Sequence, residues 1–177
     1  MAEINSVEVD RDTTALVLVD LQTRIVALET APYTGEQVLA NGIRLAEAFR
    51  AAGLPVFLVR AHRPQPVQPP HSEIAPALGP RPGDVVITKG TWGAFHRTDL
   101  DSELSARGIR TIVLGGLVTN FGVESTARAA DEHGYALVFA EDAMAGRDAE
   151  MHAFSVQRIL SLLGPVVSTD QILTGLG

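Results

Sequence analysis

The sequence contains no cysteine. That one absence removes disulfides, thiolate metal sites and cysteine nucleophiles together. It also fits a cytoplasmic protein. Aromatic residues are scarce, at 5% with a single tryptophan. Basic residues are outnumbered, 14 Lys and Arg against 21 Asp and Glu, for a net charge of −7. A nucleic-acid partner needs a basic face, so this balance argues against one. No apolar run approaches the roughly 20 residues of a membrane span. The N-terminal stretch MAEINSVEVDRDTT is acidic and polar, unlike a secretory signal. No acid–histidine cluster has metal-ligand spacing, so neither a metal nor another cofactor is expected.

What is present is the material of a globular α/β protein. The 177 residues are 46% apolar and 20% charged. That length predicts one domain over residues 1–177 with a sizeable core. Short apolar runs read as strands at 15–20 (ALVLVD), 55–60 (PVFLVR), 85–88 (VVIT), 111–114, 135–140 (YALVFA) and 165–167. Helical spacing appears between them: Val38 to Phe49, Thr98 to Ala106 with Thr98 as N-cap and Asp101 closing a weak capping box, a helix from about Val123, and 148–162. Residues 62–84 hold seven of the ten prolines, which predicts a long irregular loop over one face. The alternation of strand and helix predicts a three-layer α/β/α fold around a doubly wound, mostly parallel, six-stranded sheet of Rossmann-like type.

Such sheets bind ligands beyond the carboxyl ends of their strands. The first strand delivers Asp20, then Gln22 and Arg24. The second delivers Arg60, His62 and Arg63. The third delivers Lys89, then Trp92, Phe95, His96 and Arg97. The fourth delivers Thr119, Asn120, Phe121 and Gly122, and the fifth Glu141 and Asp142. Asp20 reads either as an acid capping a turn or as a functional carboxylate paired with Lys89, since an unpaired acid at that depth is costly. Trp92 and Phe95 read as a pocket wall or as a cover for the core. His96 alone reads as structural.

The segment GGLVTNFGVESTARAA, 115–130, has the shape of a nucleophile elbow: a strand, a tight corner and a helix start. It carries no serine or cysteine at the corner, and position 122 is glycine. Its offer is a backbone N–H at a helix start, suited to an oxyanion or a carboxylate. The plain alternative is a glycine needed for helix-on-sheet packing.

Taken together, ALVLVDLQ, VITKGTWGAFHRTDL, GGLVTNFGVESTARAA and YALVFAEDAMAG resemble the isochorismatase-like hydrolases, a superfamily that includes nicotinamidases and other cysteine hydrolases. The resemblance spans nearly the whole chain. It implies that Asp20, Lys89 and Gly122 stand at the positions of an aspartate, a lysine and a nucleophilic cysteine. It further implies a cis peptide before Thr119, and a dimer or tetramer. Gln22, Trp92, Phe95, Arg97, Thr119 and Phe121 become candidate substrate-binding residues, and Arg60 or Arg63 candidate anion holders. Glycine at 122 closes the covalent acyl-enzyme route. The isochorismatase branch proper also has glycine there, with an AFHR-like stretch such as Ala94 to Arg97.

Three readings follow. The first is acid catalysis by Asp20 on an enol or vinyl ether of a small carboxylated metabolite. It requires a protonated Asp20, against the pull of Lys89, which lowers a carboxyl pKa. The second is an amide or imide hydrolase in which ionised Asp20 activates water. The third is a metabolite-binding protein without catalysis.

Overall fold

The computed structural model describes Val7 and residues 9–176. Most of the first half of the polar N-terminal stretch, residues 1–6 and 8, lies outside the described residues. The strands are β1 (Thr14–Val19), β2 (Val56–Ala61), β3 (Val85–Lys89), β4 (Thr111–Leu117), β5 (Ala136–Ala145) and β6 (Val166–Val167). They form a single sheet in the order β3-β2-β1-β4-β5-β6, with every pair parallel. Helices α1 (Thr23–Val26), α2 (Gly35–Ala51), α3 (Leu100–Ala106), α4 (Glu124–Glu132), α5 (Ala149–Phe154), α6 (Ser161–Leu163) and α7 (Thr169–Leu176) join them. Among the described residues no helix is long and apolar enough to cross a membrane.

Strand β1 shows why the layers form. All six of its residues, TALVLV, are buried. Leu16 and Leu18 join one core cluster, with Val38, Leu45 and Phe49 of α2 and Ile172 of α7. Ala15, Val17 and Val19 join the other, with Leu100 and Leu104 of α3 and Ala127 and Ala130 of α4. The two-residue period of the strand thus divides its side chains between two helical layers. Helix α2 opens on a capping box, Thr34 with Gln37. It ends just before Gly53, whose φ of +73° suits glycine.

The chain runs outward from β1 through β2 to β3, then crosses back to β4 and runs outward the other way. The order therefore reverses between β1 and β4, and a crevice opens at their carboxyl ends.

Several local expectations are corrected. Strand β5 runs on to Ala145, five residues past its predicted end, so Glu141 and Asp142 lie within the strand. A register shift between Leu114 and Gly116 accommodates the extension. Both acids also find partners there: Glu141 accepts from Tyr33, and Asp142 accepts from the backbone and hydroxyl of Thr169. The helix expected over 148–162 is present as one continuous helical run, whose middle is π-helical: α5, the stretch Ser155–Leu160 and α6. Helix α3 starts at Leu100 with Asp99 as N-cap and no side-chain capping bond, so the box from Thr98 to Asp101 is absent. The Thr98 hydroxyl instead donates to the Ala94 carbonyl and accepts from the Leu100 N–H. Residues 62–84 form no helix or strand beyond an isolated bridge between Gln22 and Ile74.

Candidate active site

Asp20 follows the last residue of β1 at φ +55°, a left-handed conformation that non-glycine residues seldom adopt. Its N–H donates to the Val59 carbonyl at 2.8 Å, which ties the turn to β2. The residue is only 7% exposed. Lys89, the last residue of β3, is 1% exposed and places Nζ 2.8 Å from Oδ2 of Asp20. The same ammonium donates to the Trp92 carbonyl at 2.6 Å. Oδ1 of Asp20 is buried and has no partner within the described residues. An orphaned buried carboxyl oxygen is costly unless a ligand, a water or its own proton satisfies it.

The third part of the site is backbone. At the end of β4 a cis peptide joins Leu117 to Val118, one residue earlier than the bond expected before Thr119. A π-helical turn, Thr119–Val123, then leads into α4. Val118 accepts from the N–H groups of Phe121 and Val123, and Gly122 accepts from the Thr126 hydroxyl at 2.6 Å. Gly122 lies against the ion pair: a β-carbon built there would stand 3.1 Å from both Oδ2 of Asp20 and Nζ of Lys89. Its lack of a side chain is therefore a matter of the site, beyond helix packing.

Above these groups lies a cavity of about 420 Å³. Its walls combine Asp20, Lys89 and Gly122 with apolar Ile25, Leu28, Leu117 and Val118, aromatic Trp92 and Phe121, and Arg24, Arg63 and Arg147. The two aromatic rings are stacked with centroids 4.9 Å apart, and the Arg63 guanidinium lies 4.6 Å from the Trp92 ring centre. Four cationic side chains thus face one carboxyl group in a protein whose net charge is −7. Burial pushes the Asp20 carboxyl above its ordinary range. Lys89, and more weakly Arg24 and Arg63, pull it down without cancelling the effect of burial.

Of the residues expected at the site, the structure brings Asp20, Lys89, Gly122, Trp92 and Phe121 to this cavity, with Arg63 among the anion holders. The others do not line it. Gln22 is fully buried and clamps the loop instead, accepting from the Ala61 N–H and donating to the Ser72 carbonyl. Phe95 packs in the core against His133 and Tyr135. Arg97 lies on the outer surface beside Val86 and Thr88. Arg60 donates to the Thr88 hydroxyl. Thr119 is fully buried and bonds His152. Sequence reasoning missed Leu28 and Arg147 as wall residues. Arg147 follows Gly146 just beyond the true end of β5, and ending that strand at 140 hid it.

A family model described as the isochorismatase domain matches residues 14–171. The uncharacterized isochorismatase family protein YecD of Escherichia coli O157:H7 is 43% identical, across 96% of this chain and 99% of its own. A solved isochorismatase family protein from Burkholderia thailandensis is 41% identical with a TM-score of 0.88, covering 97% of this chain and 99% of that one. N-carbamoylsarcosine amidase from Thermoplasma acidophilum is 29% identical with a TM-score of 0.78, covering 90% and 98% respectively.

Proposed function

From the premise that the chain belongs to the isochorismatase family of hydrolases, we propose that it cleaves an enol or vinyl ether of a small carboxylated metabolite, with Asp20 as general acid and no covalent nucleophile. The observation that carries this reading is the state of Asp20. Its burial favours the protonated form, its Oδ1 is buried with no partner among the described residues, and the residue lines the cavity. No cysteine or serine lines that cavity among the described residues. On this reading Gly122 occupies the place of the nucleophile in the cysteine hydrolases.

The step balances simply. Asp20 gives its proton to the terminal enol carbon, and positive charge develops on the ether-bearing carbon as an oxocarbenium ion. Water adds to that carbon and returns a proton to the Asp20 carboxylate; the C–O bond of the resulting hemiketal then breaks as its hydroxyl proton passes to the leaving oxygen, and an alcohol and a 2-oxo acid leave. Proton transfer leaves Asp20 as a carboxylate, which Lys89 at 2.8 Å then stabilises. The lysine thus lowers the energy of the product of proton transfer, while burial favours the protonated acid beforehand. Arg24, Arg63 and Arg147 hold the carboxylate of the substrate, and Trp92 and Phe121 cover its apolar face. The test uses isochorismate and a panel of enol ethers, with release of pyruvate or another 2-oxo acid as the readout. Asp20→Asn should abolish release; a wild-type protein that turns over no enol ether refutes the reading.

A second reading is favoured by the likeness to N-carbamoylsarcosine amidase and by the ion pair itself. Here Lys89 keeps Asp20 ionised, and Asp20 activates water against an amide or imide. The two differ in pH dependence: acid catalysis falls as pH rises through the Asp20 ionisation, and base catalysis rises. Carboxylate binding without turnover of either substrate class would identify a non-catalytic metabolite-binding member.

A further inference from the structure

Behind the cavity wall a second set of polar side chains is joined end to end. The Thr119 hydroxyl lies 2.9 Å from Nδ1 of His152, Nε2 of His152 lies 3.0 Å from Oε1 of Glu141, and the Tyr33 hydroxyl donates to Oε2 of Glu141 at 2.7 Å. The order hydroxyl, imidazole, carboxylate is that of a nucleophilic triad. Here it has a different task, because Thr119 is 0% exposed and no substrate reaches its oxygen.

The carboxylate end fixes one proton of the network. Hydrogen bonding to His152 and Tyr33 holds the Glu141 carboxyl below its ordinary range, so Glu141 is an acceptor only. Burial, with Glu141 close by, pushes Tyr33 up to about 12, so its hydroxyl keeps its proton and donates. His152 therefore carries a proton on Nε2 and donates it to Glu141. Its Nδ1 shares a hydrogen bond with the Thr119 hydroxyl.

The four residues come from four places: the loop before α2, the π-helical turn after β4, strand β5, and helix α5. Each carries part of the cavity. The Tyr33 loop follows Leu28. Thr119 follows Val118 and opens the turn that contains Gly122. His152 and Glu141 flank the Gly146–Arg147 segment, and Gly146 bridges back to Ala31 beside Tyr33.

We propose that Tyr33, Glu141, His152 and Thr119 form a buried positioning relay that sets the corner Val118–Gly122 against Asp20. None of the four touches the reacting atoms; they act through the backbone of the corner. The kinetic part of the test rests on the enol-ether reading, and the spectroscopic part does not.

With isochorismate as substrate, Thr119→Val removes the hydroxyl at nearly constant volume. It should lower kcat by roughly tenfold or more while KM stays within about twofold, as misplacement of a reacting group does. Thr119→Ser keeps the hydroxyl and should restore kcat to within about threefold. Equal kcat in all three proteins, or a Ser variant as slow as the Val variant, overturns the relay. Absence of turnover in the wild type overturns the enol-ether reading alone. The relay is then judged by NMR on the folded proteins. Imidazole nitrogen shifts should show His152 protonated on Nε2 in the wild type and a mixed tautomer in Glu141→Gln. Pyruvate, used as a probe, should shift the Gly122 amide in the wild type and in Thr119→Ser but not in Thr119→Val. A wild-type His152 with no proton on Nε2, or an identical pyruvate response in both Thr119 variants, refutes the proposal.

Discussion

Gly122 and Asp20 meet across the space a side chain would occupy: a β-carbon on Gly122 would stand 3.1 Å from Oδ2 of Asp20. Few real β-carbons come that close to a neighbour. The buried ion pair and a side chain at position 122 therefore compete for one volume.

Gly122→Ala forces the pair apart by a few tenths of an ångström. Overpacking of this kind costs about 1–3 kcal/mol, so a lower melting temperature is expected. Turnover should fall by roughly tenfold or more, in keeping with the cost of small misplacements at a reacting centre. Wild-type stability and rate in the variant would show that the pair shifts freely.

Asp20 and Lys89 should show strongly coupled stabilities. Breaking a buried pair by removing one partner typically costs about 3–5 kcal/mol. The two single losses are unequal here. Lys89→Met leaves a carboxyl group that burial already inclines towards neutrality, whereas Asp20→Asn strands a lysine that is 1% exposed. Asp20→Asn should therefore be the more destabilising. The double variant should recover much of the loss and remain inactive. Denaturant unfolding of the four proteins completes the cycle.

The pH dependence has a definite sign. A raised folded pKa means that the native protein holds the Asp20 proton more tightly than the unfolded chain does. The associated stability is complete below the ordinary value of 3.8 and is lost as pH rises through the folded pKa. If Asp20 is the general acid, kcat/KM for an enol ether follows the same group and declines over the same ionisation. A rate that rises through it instead selects the water-activating amidase chemistry.

Charge in the cavity is checked through Trp92, the only tryptophan in the chain and 53% exposed at the rim. Pyruvate or isochorismate should perturb its fluorescence. Arg147→Ala and Arg63→Ala should each weaken that binding by roughly ten- to a hundredfold, the loss of a charge-assisted hydrogen bond of about 1.5–3 kcal/mol. Added salt should weaken it further. Unchanged affinity in both variants would remove the arginines from substrate recognition.

Glu141 carries the opposite pH signature to Asp20. Its lowered folded pKa contributes stability that is present above the ordinary value of 4.5 and lost as pH falls through the folded pKa. Glu141→Gln should melt earlier than the wild type at neutral pH, and the gap should narrow on acidification below that value. A constant gap across the series would mean that the carboxylate is not ionised in the fold.

The architecture was legible because apolar period and chain order carry it. Runs such as ALVLV are short and continuously apolar, which suits buried parallel strands, and the reversal of strand order follows from winding outward twice. The three centres of the candidate site were legible for the same reason, since each stands where a strand runs out. Asp20 and Lys89 end apolar runs, and Gly122 follows two glycines and a polar corner. Side-chain direction was less accessible. Phe95 and Trp92 are three residues apart in one loop, yet one enters the core and the other lines the cavity. Gln22 is two residues from Asp20 but spends its amide on holding a loop. Arg147 and the Thr119–His152 pairing depend on β5 running five residues past its apolar stretch, through two acids whose partners come from distant segments. No local pattern encodes those partners.

The proline-rich stretch 62–84 divides the chain between β2 and β3. Asp20 lies on one side of that stretch, and Lys89 and Gly122 lie on the other. A chain severed there would hold the acid in one fragment, with two strands, and its counter-ion in its complement, with four, each with an unmatched buried charge and an incomplete sheet. The two pieces would have reason to find each other and none to persist apart. Recovered turnover on mixing them would be a direct count of reassembled sheets.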